Sequence, residues 1–142
     1  MGFSLVAATA IIGVSLIMCL EIIVGTTIPT ITDLNKSFDY MRNRAIDQVQ
    51  TNIDIISVTS EINGSNFDIN ITVENIGSIT LQTSNFDILI NGTKNEFTCS
   101  KSYLYPEGEV YFNILNIPGS GEKRLKIITN NGIADYYLFI IP

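Results

Sequence analysis

The side chains that could take part in catalysis or metal binding are few and scattered. The 142 residues include no histidine, the commonest general base and a frequent zinc ligand. Two carboxylate pairs, Glu107 with Glu109 and Asp68 with Glu74, could bind Ca²⁺ or act as acid and base. Calcium loops concentrate more oxygen ligands than this around a glycine, so solvated charges are the better interpretation. The sequence therefore predicts no enzyme activity, no cofactor and no metal site.

The remaining reactive candidates have simple structural explanations. The Gly119-Ser120-Gly121 segment does not lead from a strand into a helix, so it is a turn and not a phosphate loop. Cys19 lies in an apolar run and Cys99 in the following domain, so no disulfide within the chain is expected. We expect Cys99 to be a small buried apolar residue, with an intermolecular disulfide as the alternative.

Three tyrosines form the densest aromatic cluster outside the last strand: Tyr103, Tyr105 and Tyr111. Two interpretations stay open. They are either core and corner residues of the domain, or an exposed edge that binds a partner, since tyrosine is enriched at protein interfaces.

Four N-glycosylation sequons begin at Asn35, Asn63, Asn70 and Asn91. Together they predict a glycoprotein with an exported domain, although some sequons in a chain rich in Asn, Ser and Thr arise by chance. The net charge of −6 and the absence of a basic run predict no affinity for nucleic acid. Both observations favour an extracytoplasmic location.

The chain opens with an apolar run, Phe3 to Val24, in which Glu21 is the single charge. As a helix this run is roughly 30 Å long, which is enough to cross a bilayer core. A cleaved signal peptide and a pilin-type leader are the alternatives, but each normally has a basic residue before the apolar segment, and none is present. We predict a single-pass transmembrane helix with Glu21 at the membrane border.

An amphipathic connector follows from about Thr30 to Gln50. Its apolar residues recur at alternating steps of four and three: Leu34, Phe38, Met41, Ala45 and Val49. Two heptads are too few to specify a coiled coil, so the helix could pack on a partner helix, on its own domain or on a second copy.

From Ile53 the pattern changes to β-branched residues in period-two alternation, punctuated by Asn-Gly turns. Phe67, Ile69, Ile71 and Val73 lie on one face of such a strand. About seven strands in roughly ninety residues predict an all-β, Ig-like antiparallel β-sandwich. The predicted domains are a transmembrane helix at 1–25, a connector helix at 26–52 and an extracytoplasmic sandwich at 53–142.

Two segments resemble a known family. Val73-Glu74-Asn75-Ile76-Gly77-Ser78-Ile79-Thr80-Leu81 and Phe86-Asp87-Ile88-Leu89-Ile90-Asn91-Gly92, with the opening Met1-Gly2-Phe3-Ser4 and its uncharged helix, are similar to the archaeal archaellum accessory proteins FlaF or ArlF. The sister family FlaG (ArlG) shares part of this pattern. We interpret Asn75 to Ser78 as a strand-ending turn in which Gly77 has a backbone angle that other residues avoid.

The resemblance implies a non-enzymatic protein of the cell membrane that acts as a stator for archaeal motility. Its domain would bind the S-layer protein in the pseudoperiplasmic space. The implied partners are the membrane, a second copy in a homodimer, a FlaG-like protein and components of the archaellum motor.

Two other classes of function stay open. A filament subunit, archaellin-like or pilin-like, would polymerise through the apolar helix and would have a shortened mature N-terminus. An envelope enzyme or solute-binding lipoprotein would need converging titratable groups or a lipobox cysteine, and Cys19 lacks that sequence context.

Overall fold

The apolar N-terminal run forms a helix, as its composition predicts. A computed structural model describes residues 2–142, in which helix α1 spans Gly2–Ile22, a π-helical turn spans Ile23–Thr27 and helix α2 spans Ile28–Gln50. Within this described part of the chain, Gly2–Gln50 is the one stretch of helix long and apolar enough to cross a membrane. Its side chains do not pack against the sandwich core, and no residue of either helix is buried.

Two hydroxyl groups of α1 bond to the helix's own backbone. Thr9 Oγ1 donates to the carbonyl oxygen of Val6 at 2.9 Å, and Ser15 Oγ donates to that of Ile11 at 2.9 Å. Since an unbonded hydroxyl is costly in hydrocarbon, these contacts make Thr9 and Ser15 compatible with a bilayer.

The rest of the chain forms ten strands in antiparallel pairings. They are β1 (Ile53–Asn63), β2 (Asn66–Asn75), β3 (Leu81–Gln82), β4 (Asp87–Ile90), β5 (Thr93–Asn95), β6 (Thr98–Cys99), β7 (Tyr103–Leu104), β8 (Glu109–Ile117), β9 (Gly121–Ile128) and β10 (Ala134–Ile141). One four-stranded sheet has the order β1-β2-β8-β6 and a second has the order β10-β9-β4-β5, while β3 pairs with β7. The predicted combination of an apolar helix and a β-sandwich is confirmed.

The inner faces of the two large sheets form one apolar core. On β2 the alternation predicted from the sequence is observed, with Ile69, Ile71 and Val73 fully buried and Phe67 packed against the core. Aromatic rings join the sheets: Phe112 of β8 lies 5.6 Å from the ring of Phe86 and 5.1 Å from that of Phe97. This supply of aliphatic and aromatic side chains is sufficient for a single core.

The Asn-Gly punctuation forms hairpins where the sequence predicts them. Asn91 and Gly92 have φ values of 50° and 84°, the positive pair of a type I′ turn between β4 and β5. Asn91 Oδ1 also accepts a 2.8 Å hydrogen bond from the amide of Arg124, which ties this turn to β9.

The segment Thr80–Ile90 has the composition of a single strand but is interrupted. Thr83 is fully buried, its hydroxyl donates to the carbonyl oxygen of Lys101 at 2.6 Å and its amide donates to that of Ser102 at 3.1 Å. A buried threonine that is tied to another loop turns the chain through a short 3₁₀ segment, Thr83–Asn85. The strand therefore divides into β3 and β4.

The chain divides into two compact units between Asn43 and Arg44. The second unit thus contains the last residues of α2 together with the whole sandwich.

Candidate functional site

The most tightly built polar site of the second unit surrounds Asn75, the last residue of β2. Asn75 is fully buried, and its side-chain amide donates to the carbonyl oxygens of Ile79 at 2.7 Å and Leu104 at 3.1 Å. Its Oδ1 accepts from the amide of Gly77 at 3.0 Å. Both polar atoms of the side chain are therefore hydrogen-bonded to neighbouring backbone. A polar side chain can be buried without a large energetic cost only when its atoms are paired in this way.

Gly77 lies directly against the end of α2. A β-carbon at residue 77 would stand 2.5 Å from the carbonyl oxygen of Gln50 and 2.6 Å from the amide nitrogen of Asn52. The expectation that Gly77 has a left-handed backbone is wrong, because it is not among the residues with positive φ. Glycine is needed here because two backbones approach each other more closely than a side chain allows.

Two backbone hydrogen bonds close this contact. The amide of Gly77 donates to the carbonyl oxygen of Asn52 at 3.0 Å, and the amide of Ser78 donates to that of Gln50 at 2.9 Å. The carbonyl of Gln50 belongs to the last turn of α2, where helical partners are missing. The Asn75–Ser78 segment therefore supplies a cap for the helix from the sandwich, and we call this contact the helix clamp.

A second contact fixes the same junction from the β9–β10 hairpin. Asn131 Nδ2 donates to Thr51 Oγ1 at 2.7 Å, and Thr51 Oγ1 in turn donates to the carbonyl oxygen of Asp47 at 2.6 Å. Thr51 is buried, so the hydroxyl at the centre of this chain of bonds is shielded from water.

The three predicted partner-binding tyrosines are all exposed. Tyr103 lies on β7, Tyr105 in the turn that follows it and Tyr111 on the outer face of β8. The core interpretation of this cluster is therefore wrong. The physical reason is that their neighbours Leu104 and Val110 take the inward positions of these short strands, which leaves the tyrosines facing outward.

The four sequons lie in different environments. Asn35 is on α2 and exposed, and Asn63 is exposed at the end of β1, where its Nδ2 donates to Asp68 Oδ2 at 2.9 Å. Asn70 is half-buried in the middle of β2, and Asn91 occupies the type I′ turn. Asn70 Oδ1 accepts a 2.7 Å hydrogen bond from Asn113 Nδ2, so this sequon is the least accessible of those on the sandwich.

The remaining candidates do not assemble into a reactive site. Glu107 sits in a turn with φ of 59° and Glu109 begins β8. Within residues 2–142, no group of three or more His, Cys, Asp or Glu side chains is placed to hold a metal ion. Cys99 is exposed, not buried as expected, with its Sγ 3.4 Å from Thr83 Oγ1. Cys99 is exposed because β6 is the edge strand of its sheet, so no further strand covers it on that side.

One surface was not singled out from the sequence. β10 is an edge strand whose outward side chains Tyr136, Leu138 and Ile140 are all exposed. Strict alternation with the inward Phe139 and Ile141 is the signal that could have revealed it, but a run of seven apolar and aromatic residues hides that alternation.

These features define a class of protein: an apolar, membrane-compatible helix followed by a β-sandwich that holds the end of the helix region by a backbone clamp. No family model matches the chain. The chain is similar to a curated protein of Methanococcus voltae named flagella-related protein F, with 22% identity over 137 residues, which are 96% of this chain and 98% of the relative. The resemblance to FlaF noted from the sequence is thus confirmed by a relative that matches both the helix and the sandwich.

Proposed function

We propose that this chain is a non-enzymatic, membrane-anchored component of the archaellum that acts as a stator for archaeal motility. The observation that carries the proposal is the similarity to flagella-related protein F along nearly the whole chain. An apolar helix suited to a bilayer supports an anchoring role.

The proposed mechanism is mechanical. The transmembrane helix anchors the chain, the sandwich binds the S-layer protein outside the membrane, and the end of α2, which belongs to the same compact unit as the sandwich, carries the load. The helix clamp supports this step, because force at the carbonyl of Gln50 passes directly into the backbone of Ser78. A junction closed by backbone hydrogen bonds and a sterically required glycine resists hinge motion better than a free linker.

In this proposal the sandwich is extracytoplasmic and assembles with a FlaG-like protein, with motor components and as a homodimer. The exposed Tyr103, Tyr105 and Tyr111 are candidate contacts, and Asn63 is a candidate glycan carrier. A stator requires affinity and stiffness but no bond-making chemistry.

The experiment is to recover the full chain from envelopes in mild detergent and to identify bound proteins by mass spectrometry. Recovery of the S-layer protein with an N-terminus that keeps Met1 or Gly2 supports the stator. Recovery of filament subunits together with a shortened N-terminus contradicts it in favour of a filament component.

A further inference from the structure

The outer face of the β10-β9-β4-β5 sheet has the anatomy of a protein interface. Its centre is formed by Tyr136, Leu138 and Ile140, with exposed fractions of 50%, 64% and 72%. In the register Leu138 lies opposite Arg124, Tyr136 lies opposite Lys126 and Ile140 lies opposite Glu122. We call these six residues the β9–β10 face. An apolar and aromatic centre with cationic neighbours is the composition that interfaces favour over ordinary surface.

The two cations of this face are held in place. The guanidinium carbon of Arg124 and the Nζ of Lys126 each lie 5.1 Å from the centroid of the Tyr136 ring. Two cation–π contacts to one ring reduce the freedom of three long side chains before any partner binds. Binding to such a prepared surface costs less conformational entropy than binding to free lysines.

Charge differs between the two outer faces of the sandwich. The strands β1, β2, β6 and β8 contain no Lys or Arg, and their outer positions carry carboxylates: Asp54, Glu61, Asp68, Glu74 and Glu109. Three of these stand in one row, since Glu74 pairs with both Asp54 and Glu109 in the register. On the outer face of the other sheet Lys94 is paired with Asp87, which leaves Arg124 and Lys126 against the single carboxylate of Glu122. An acidic partner is therefore repelled by the first face and meets an excess of positive charge on the second.

The geometry favours a protein over a lipid surface. Leu138 and Arg124 lie side by side on neighbouring strands of one pleated face, so apolar and cationic groups stand at the same height. A bilayer would require the apolar groups to project beyond the cations into the acyl region. A protein surface can meet both kinds of group in one plane.

We propose that the β9–β10 face is the docking surface for an acidic protein partner with an apolar centre. This inference rests on the proposed function, in which the sandwich binds an envelope protein, and it names the face and the chemistry of that contact. The tyrosines Tyr103, Tyr105 and Tyr111 lie on other elements and are not part of it.

The test measures binding of the full chain, held in neutral-lipid nanodiscs, to isolated S-layer sheets. Two variants alter the face and each has a matched control with the same substitution elsewhere. Leu138→Asp is compared with Leu115→Asp, which is 55% exposed on β8 in the opposite sheet. Lys126→Glu is compared with Lys101→Glu, an exposed lysine outside the face. Circular dichroism and thermal unfolding establish that all four variants are folded.

We expect Leu138→Asp to weaken binding at least tenfold. Lys126→Glu should weaken it severalfold and flatten its dependence on salt, while both controls stay within twofold of wild type. If the wild-type chain binds and none of the four variants changes that binding, the assigned face is wrong but the proposed function stands. No wild-type binding contradicts the proposed function itself.

Two further outcomes also overturn the inference. Capture of phosphatidylglycerol vesicles, lost in Leu138→Asp and unaccompanied by S-layer binding, would assign the face to a lipid surface. Concentration-dependent self-association in analytical ultracentrifugation, lost in the same variant, would assign the face to a second copy of the chain.

Discussion

The α-carbon of Gly77 packs against the carbonyl oxygen of Gln50 so closely that a β-carbon at residue 77 would stand 2.5 Å from that oxygen. This approach allows Ser78 to cap the last turn of α2 through its backbone amide. The turn after β2 therefore does more than end a strand. It joins the helix end to the sandwich, and the predictions below begin from that contact.

Gly77→Ala should open the helix clamp. The added methyl group forces the backbones of Gly77 and Gln50 apart, which lengthens two hydrogen bonds and lowers the free energy of unfolding by about 1–3 kcal/mol. Hydrogen exchange of the full chain in detergent should show faster exchange at the Ser78 amide. Ser78→Ala is the matched control, because it adds no β-carbon and keeps the amide. Equal protection of residue 78 in both variants would contradict the steric account.

Asn75→Asp should destabilise the sandwich more than any surface substitution. The exchange keeps the shape of the side chain but replaces a buried donor to two carbonyls, those of Ile79 and Leu104, by an acceptor. Loss of two buried hydrogen bonds costs about 2–4 kcal/mol. Denaturant unfolding of the full chain in detergent measures the effect. The same substitution at Asn130, which is exposed, should change stability by less than about 0.5 kcal/mol.

Glycosylation should discriminate between the sequons of the sandwich. Asn63 is exposed at a hairpin end, whereas Asn70 is half-buried in the middle of β2, between two neighbouring strands of the sheet. Mass spectrometry of the native protein should therefore find glycan at Asn63 in preference to Asn70. Asn63→Gln should remove that modification without transferring it to the neighbouring sequon. Higher occupancy at Asn70 would show that modification precedes folding of β2.

The two cysteines should report the position of the chain in the membrane. Cys99 is exposed on the sandwich, while Cys19 lies in the apolar helix α1. A membrane-impermeant maleimide applied to intact cells should label Cys99 and leave Cys19 unmodified, since such a reagent does not enter the hydrocarbon of the bilayer. Cys99→Ser should abolish the signal. Labelling that requires permeabilised cells would place the sandwich on the cytoplasmic side.

The pattern of apolar residues was sufficient to predict those helices and strands in which each face has a single environment. The β2 alternation at Ile69, Ile71 and Val73 and the helix formed by the apolar run of α1 each follow from the sequence pattern alone. The type I′ turn at Asn91 follows equally, because few residues adopt positive φ in succession.

The features that were missed depend on distant contacts. Nothing local to Thr83 indicates that its hydroxyl bonds to Lys101 and interrupts the strand. Gly77 was correctly recognised as important but for the wrong reason, because its neighbour Gln50 is 27 residues away in the chain. The exposure of Tyr103 and Cys99 likewise depends on which short strands end a sheet, which a single sequence does not reveal.

The central claim is that this chain anchors an archaellum component to the envelope. Its most direct test is cosedimentation of the full chain in neutral-lipid nanodiscs with isolated S-layer sheets, with empty nanodiscs as the control, over a range of salt concentrations. The account predicts saturable cosedimentation at physiological salt. Absence of cosedimentation at every salt concentration would contradict it.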